Sequence, residues 1–273
     1  MIYITIAVFT TYFFALSWIV IGFFKHSKNQ SGIVNKNQKI SVIVPVRNEE
    51  DYIVGCLQSL INQDYDAENF EIIVVNDHSE DNTLQLINQL ILKTNISISL
   101  INLKEDFSKK AALKLGVNNS KYPIIASTDG DCILPDAWLQ NISNNFTEKV
   151  SMLLGPVTFF KQPGFFNAFQ RLDFSAVQVL TFGSAFYQKS ILNNAANLAY
   201  SKDGLEKVDG YDNYRTPSGD DVFLLEKFSR HELSISSLLS QNFIVETAPS
   251  RSWKFFFNQR IRWASKSGFY SNK

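Results

Sequence analysis

Between Lys39 and Thr128, runs of β-branched residues alternate with segments of helical spacing, and this alternation admits few folds. The strand-like runs are Lys39–Val46 (KISVIVPV), Phe70–Asp77 (FEIIVVND), Ile96–Leu103 (ISISLINL) and Tyr122–Thr128 (YPIIAST). Between them lie Glu49–Asn62, Asp81–Lys93 and Lys109–Asn119, whose apolar residues recur at the three- and four-residue spacing of a helix. Strands that alternate with helices predict an α/β fold with a mostly parallel sheet covered on both faces. Such a sheet binds ligands at the carboxyl ends of its strands, near a switch in strand order.

After Asp131 the rhythm loosens. Pro135–Phe146 reads as a helix and Lys149–Phe160 (KVSMLLGPVTFF) as a strand; the aromatic-rich stretch Pro163–Tyr187 leaves helix and strand open. There is no internal repeat, no GxGxxG and no glycine-rich phosphate loop, so two common nucleotide-binding fingerprints are absent.

The N-terminus obeys a different rule. Ile2–Phe24 carries no charge, long enough for a helix to span a bilayer. Lys25, Lys28, Lys36 and Lys39 follow it, which predicts a cytoplasmic membrane location with the rest of the chain facing the cytoplasm. A cleaved signal peptide would carry its basic residues before the apolar run. The expected organisation is a transmembrane anchor over 1–25, a polar juxtamembrane linker over 26–38 and one domain over 39–273.

Charge and cysteine count exclude other classes. Lys+Arg and Asp+Glu are both 26, so no polyanion-binding field is expected and nucleic acid is not a predicted partner. Cys56 and Cys132 form no disulfide framework or zinc pattern, and three scattered histidines offer no His-rich metal site.

Acidic residues recur where strands end. Asp77 closes the second strand; Asp129 and Asp131 close the fourth, one residue apart in "TDGD". Adjacent carboxylates repel unless a cation or a shared proton intervenes. They either form a solvated Asp-Gly turn or hold a hard cation such as Mg²⁺ or Mn²⁺. Asp220 and Asp221 precede an apolar helical run. Ser218 and Asp221 match a capping box, and Asp221 also suits a general base; a cap would hold such a base still. In "WKFFFNQRIRW", Gln259, Arg262 and Trp263 share one helix face. Arg offers a bidentate grip on phosphate, and Trp a flat face for a sugar or base. An interfacial helix lying on a membrane has the same composition.

The segments VPVRNEE, VVNDHSEDNT, KKAALKLG, DGD, GDD and QRIRW occur in this order. Together they resemble a family 2 glycosyltransferase of the GT-A fold, in the membrane-associated subgroup with DxD and QxxRW motifs. The resemblance covers about Lys39 to Ser265, and Asn194–Asp212 resembles the family's acceptor-side segment. It implies that Pro45, Arg47 and Glu49 line the nucleotide pocket, that Asp77 meets the base or ribose, and that Lys110 lies near the donor. It implies that Asp129 and Asp131 position the diphosphate and a divalent metal, Mn²⁺ or Mg²⁺, and that Asp221 is the base, with Asp220 where Glu often stands. Gln259, Arg262 and Trp263 then serve the acceptor or the diphosphate. The implied partners are a nucleotide-sugar donor, expected to be a UDP-sugar, a lipid or glycan acceptor, and the membrane. The implied reaction is a single displacement with inversion. Relatives with QxxRW continue into membrane helices, whereas ten residues follow Trp263, so a fragment is one expectation. A complete chain with one anchor would not be expected to form a translocating channel. His78 follows Asp77 where Gly or Ser is usual. Two alternatives remain at this level: a nucleotidyltransferase with a similar metal site, and a silent scaffold of the same fold.

Overall fold

The computed structural model describes residues 1–28, 37–104, 107–211 and 220–265. Four β-branched runs form strands: β1 (Ile40–Val46), β2 (Phe70–Asn76), β3 (Ile98–Asn102) and β4 (Ile124–Ser127). All four run parallel, with β1 between β2 and β4 and β3 outside β2. Every residue of β1 and β2 is buried, which is why both read as unbroken apolar runs. Alternate residues serve two cores. Ile40, Val42 and Val44 pack with Ile53, Leu57 and Leu60 of α2 (Ile53–Ile61) and with Ile87 of α3 (Thr83–Ile91). Ile43 and Ile73 pack on the other face with Leu113 and Val117 of α4 (Lys109–Asn119).

The second half extends this sheet. It contributes β5 (Cys132–Ile133), α5 (Trp138–Asn145), β6 (Met152–Leu154), β7 (Val157–Phe159), α6 (Phe165–Phe186) and β8 (Leu198–Ser201). After these come α7 (Lys202–Lys207), α8 (Asp220–Arg230), β9 (Ile235–Ser237), β10 (Val245–Thr247) and α9 (Trp253–Ala264). The large sheet has the order β3-β2-β1-β4-β8-β6-β9, and β5-β10-β7 form a small one. Strand β8 is antiparallel to both β4 and β6. The order reverses direction between β1 and β4, so a crevice opens at their carboxyl ends.

The expected single strand over Lys149–Phe160 is corrected: it is two strands in two sheets. Gly155 and Pro156 break it. Proline has no N–H for a ladder, and a Cβ on Gly155 would lie 2.2 Å from side-chain atoms of Asn197. Asn197 is buried and ties three distant segments together. Its Oδ1 accepts from Trp138 Nε1 at 2.8 Å, and its Nδ2 donates to Pro156 O at 2.9 Å and Phe243 O at 2.7 Å. The stretch Pro163–Tyr187, open between helix and strand in the sequence, is the 22-residue helix α6.

Helix α1 (Ile2–Lys28) continues past the expected end of the anchor into the residues read as linker. Among the described residues it is the one helix long and apolar enough to cross a membrane. Its first four turns are exposed, and its last turns dock on α6. Glycines make the crossing close: a Cβ on Gly183 would lie 2.3 Å from the Ile19 carbonyl oxygen, and one on Gly22 2.4 Å from that of Gly183. Trp18 stacks on Tyr187 at 4.0 Å, and His26 Nε2 lies 3.1 Å from Ser237 Oγ. Gly183→Val should therefore drive the helices apart. The check is cross-linking of Trp18→Cys to Tyr187→Cys with a short bifunctional thiol reagent, which should fall sharply in the Gly183→Val background; undiminished cross-linking would refute the crossing.

Candidate active site

The turn after β4 is shaped by its neighbours. A Cβ on Gly130 would lie 2.9 Å from Val46 Cγ1 and 3.1 Å from Glu49 Cγ, so a side chain here would push into the end of β1. The turn is held from below by two buried thiols. Cys56 Sγ donates to Asp129 O at 3.4 Å and Cys132 Sγ to Asp131 Oδ1 at 3.6 Å. Three carboxylates converge above them. Burial, then the Asp129 charge, raises the Asp131 carboxyl above its ordinary range. Glu49 is pushed up to about 8 by burial and by the charges of Asp131 and Asp129. The cluster thus has an excess of negative charge that a cation would relieve. Lys109 Nζ supplies one cation, paired with Asp129 Oδ1.

Opposite the turn stands Asp221, in the first turn of α8. Its Oδ2 accepts from Ala195 N at 3.3 Å and its Oδ1 from Val222 N at 2.8 Å. Its carbonyl accepts from Asn193 Nδ2 at 3.1 Å. Lys109, Asp129, Asp131, Asp221, Gln259, Arg262 and Trp263 line one cleft of about 540 Å³, walled on one side by Phe174, Val177 and Thr181 of α6. A second cleft of about 540 Å³ shares Asp131, Ala248, Gln259 and Arg262 with the first and is also lined by Tyr52 and Arg251. Arg251 bonds Asp51 at 2.6 Å there, joining the start of α9 to the loop after β1.

The remaining candidates gather at the ends of β1 and β2. Pro45 pairs in register with Val75. Asp77 Oδ2 lies 4.0 Å from Arg47 Nη1, and its Oδ1 lies 3.0 Å from His78 Nδ1. His78 adopts φ 57 and stacks on Phe107 at 3.8 Å. The two loops are stitched together: Glu49 N donates to Thr83 Oγ1 at 2.8 Å, Glu50 N to Asp81 Oδ2 at 3.1 Å, and Asn82 N to Glu50 Oε2 at 3.1 Å. Helix α2 therefore begins at Ile53, and Glu49 sits in the loop facing the acidic turn.

Lys110 is not among the cleft-lining residues; Lys109, which the sequence reading passed over, is. The adjacent lysines differ only in helical phase, fixed by the Ser108 cap that accepts from Ala111 N at 3.1 Å. The Asp220 side chain and Ser218, hence the expected capping box, lie outside the described residues. Asn193 was also missed, and no spacing marks it.

Among the described residues no three His, Cys, Asp or Glu side chains form a cage for an ion. Two aspartates in a turn suit a hard cation that takes its other oxygens from substrate phosphates and water. The donor set therefore fits Mg²⁺ or Mn²⁺ bound together with a ligand.

A mostly parallel sheet flanked by helices, with an acidic turn at its switch point and a carboxylate across an open cleft, defines a GT-A fold. Solved structures agree: a Pyrobaculum calidifontis mannosyltransferase, PcManGT, in complex with GDP-Man and Mn²⁺ has a TM-score of 0.68 at 19% identity, covering 94% of this chain and 74% of its own. S. aureus TarS 1–349 in complex with UDP-GlcNAc has a TM-score of 0.55 at 22% identity, covering 79% and 60%. The profile of glycosyl transferase family 2 matches residues 41–206, and the chain belongs to that family. Haloferax volcanii glycosyltransferase AglE is 28% identical over 182 residues, 66% of this chain and 58% of that relative. The chain thus spans under two thirds of this curated relative's length.

Proposed function

We propose that this protein is a membrane-anchored inverting glycosyltransferase that moves a sugar from a nucleotide-sugar to a hydroxyl of a lipid or glycan acceptor. The observation that carries this reading is one cleft onto which Asp129, Asp131, Lys109 and Asp221 all face. The donor is read as a UDP-sugar. Arg47 and Asp77 suit its base and ribose, and Pro45 and Glu49 the adjoining wall. Asp129 and Asp131, as a DxD motif, would hold the divalent metal; when bound, it neutralises charge on the leaving diphosphate. Lys109 and Arg262 supply positive charge on the same side. Asp221 takes the proton from the attacking hydroxyl, its orientation fixed by two backbone N–H donors. Gln259 and Trp263, within a QxxRW motif, form the acceptor-facing wall. The relatives' donors support the donor class: TarS was solved with UDP-GlcNAc and PcManGT with GDP-Man and Mn²⁺.

Helix α1 serves as the anchor, and residues 39–273 as the catalytic domain. The lysines that follow the apolar run support a cytoplasmic position for that domain.

The test is nucleotide release from a panel of UDP-glucose, UDP-GlcNAc, UDP-galactose and GDP-mannose. Each is assayed with Mn²⁺ or Mg²⁺ and with chelator. Metal-dependent release from one donor is the expected result. Failure of every donor either to react or to bind would overturn the proposal.

A further inference from the structure

Helix α9 carries three cleft-lining residues, Gln259, Arg262 and Trp263. Arg260, within the same run, does not line the cleft. Its Nε donates to Asp173 Oδ2 on α6 at 2.8 Å, and its Nη2 reaches the same oxygen. Its Nη1 donates to Gln259 Oε1 at 2.8 Å. Its guanidinium carbon lies 4.4 Å from the Phe256 ring centroid and 4.2 Å from that of Trp263. One cation therefore touches two aromatic rings, a carboxylate and the amide of a cleft residue, with only 19% of its side chain exposed.

We infer that Arg260 is a positioning residue, which fixes the orientation of Gln259 and Trp263 in the cleft through Asp173 of α6. The role follows from the shape of the guanidinium. It is planar, so it can stack on the two rings while its edge donates to Asp173 and Gln259. An ammonium could meet one of these partners well, not all of them. The Gln259 bond also sets which way its amide points, because an acceptor oxygen must face Arg260 and the NH₂ group must face elsewhere. Trp263 also packs on Phe174, with ring centroids 5.9 Å apart.

Arg260 is not needed merely to keep α9 on α6. Gln170 exchanges two hydrogen bonds with the Ser250 backbone, at 3.2 and 2.9 Å. Phe166 and Phe169 of α6 pack on Trp253, with ring centroids 4.5 and 5.2 Å apart. These contacts anchor the start of α9 whatever stands at 260. Loss of Arg260 should therefore leave the helix docked and let its cleft-facing side chains turn. In contrast to Gln259, Arg262 and Trp263, nothing in the spacing of the sequence distinguishes this residue.

This inference rests on reading the cleft as the transfer site, and the experiment separates the two. Arg260→Gln, Arg260→Lys and Asp173→Asn are made in the full chain. Acrylamide quenching of Trp263 is isolated by subtracting the signal of Trp263→Phe protein. Donor turnover and nucleotide affinity are measured beside it. For both Arg260 variants, the quenching constant of Trp263 should rise about twofold or more. Turnover should fall by up to about a hundredfold, with a much smaller change in nucleotide affinity, because misplacement by about 1 Å suffices for such a loss. Asp173→Asn should shift both in the same direction. A merely structural brace would lower the melting temperature without changing Trp263 exposure below the transition. Unchanged quenching in both Arg260 variants would overturn the inference, whatever the turnover. Wild-type protein that neither binds nor hydrolyses any donor would instead overturn the transfer reading, while the quenching arm would still decide the role of Arg260 in orienting Trp263.

Discussion

Asp221→Asn should bind nucleotide-sugar as the wild type does and transfer almost nothing. The substitution preserves shape, and an amide oxygen can still accept from Ala195 N or Val222 N, the two donors that hold the carboxylate now. What it removes is the ability to take a proton. Loss of a general base lowers rates by about 10²- to 10⁴-fold. Stability should fall by about 1–3 kcal/mol, because the Asn oxygen can accept from one of these N–H groups and the amide NH₂ leaves the other unpaired. The measurement is single-turnover transfer beside nucleotide titration. Full turnover in the variant would remove Asp221 as the base; loss of both binding and turnover would make it a donor-site residue instead.

Asp131→Ala should lose metal-dependent donor binding, and its stability should reveal the reason. In metal-free protein, burial first and then the neighbouring acidic charges raise the carboxyls of Asp131 and Glu49. Removing it relieves repulsion, which offsets the loss of its hydrogen bonds to Thr247 and to Cys132 Sγ, a weak donor. Thermal unfolding in chelator should therefore show a variant about as stable as the wild type. A ligand that binds only the folded state raises the melting temperature by mass action. Mn²⁺ with UDP should stabilise the wild type in this way and leave Asp131→Ala unmoved. An equal rise in both proteins would mean that the turn is not the metal site.

How much of this was legible in the sequence depended on burial. β1 and β2 are covered on both faces, so their apolar runs announced them, and the parallel sheet followed. The acidic turn was legible as a turn at a strand end, and its reading as a cation site came from the family resemblance. The face shared by Gln259, Arg262 and Trp263 was legible from helical spacing. What stayed hidden was set by contacts distant along the chain. Lys109 and Lys110 are chemically equal, and only the phase of α4 brings one to Asp129. The break at Gly155–Pro156 was written in two residues known to end strands, but the surrounding apolar run overrode them in the reading. Its cause, the Asn197 side chain, lies in a separate segment. The aromatic spacing of Pro163–Tyr187 was blurred because α6 serves several neighbours at once, among them α1, β7, α9 and the cleft.

The Asn197 knot also bears on how the chain comes to be folded. Its side-chain partners lie 41, 46 and 59 residues away, and none is local. Nothing in its own neighbourhood can satisfy that amide once it is dry, so it must stay hydrated until Trp138, Pro156 and Phe243 have all arrived. Non-local closures of this kind slow the search for the native state. Closure of this knot should accordingly come late in folding, because it needs three segments far apart in sequence at one place. A chain cut before Phe243 would leave a hydrogen-bond vacancy in the middle of the molecule rather than at its edge.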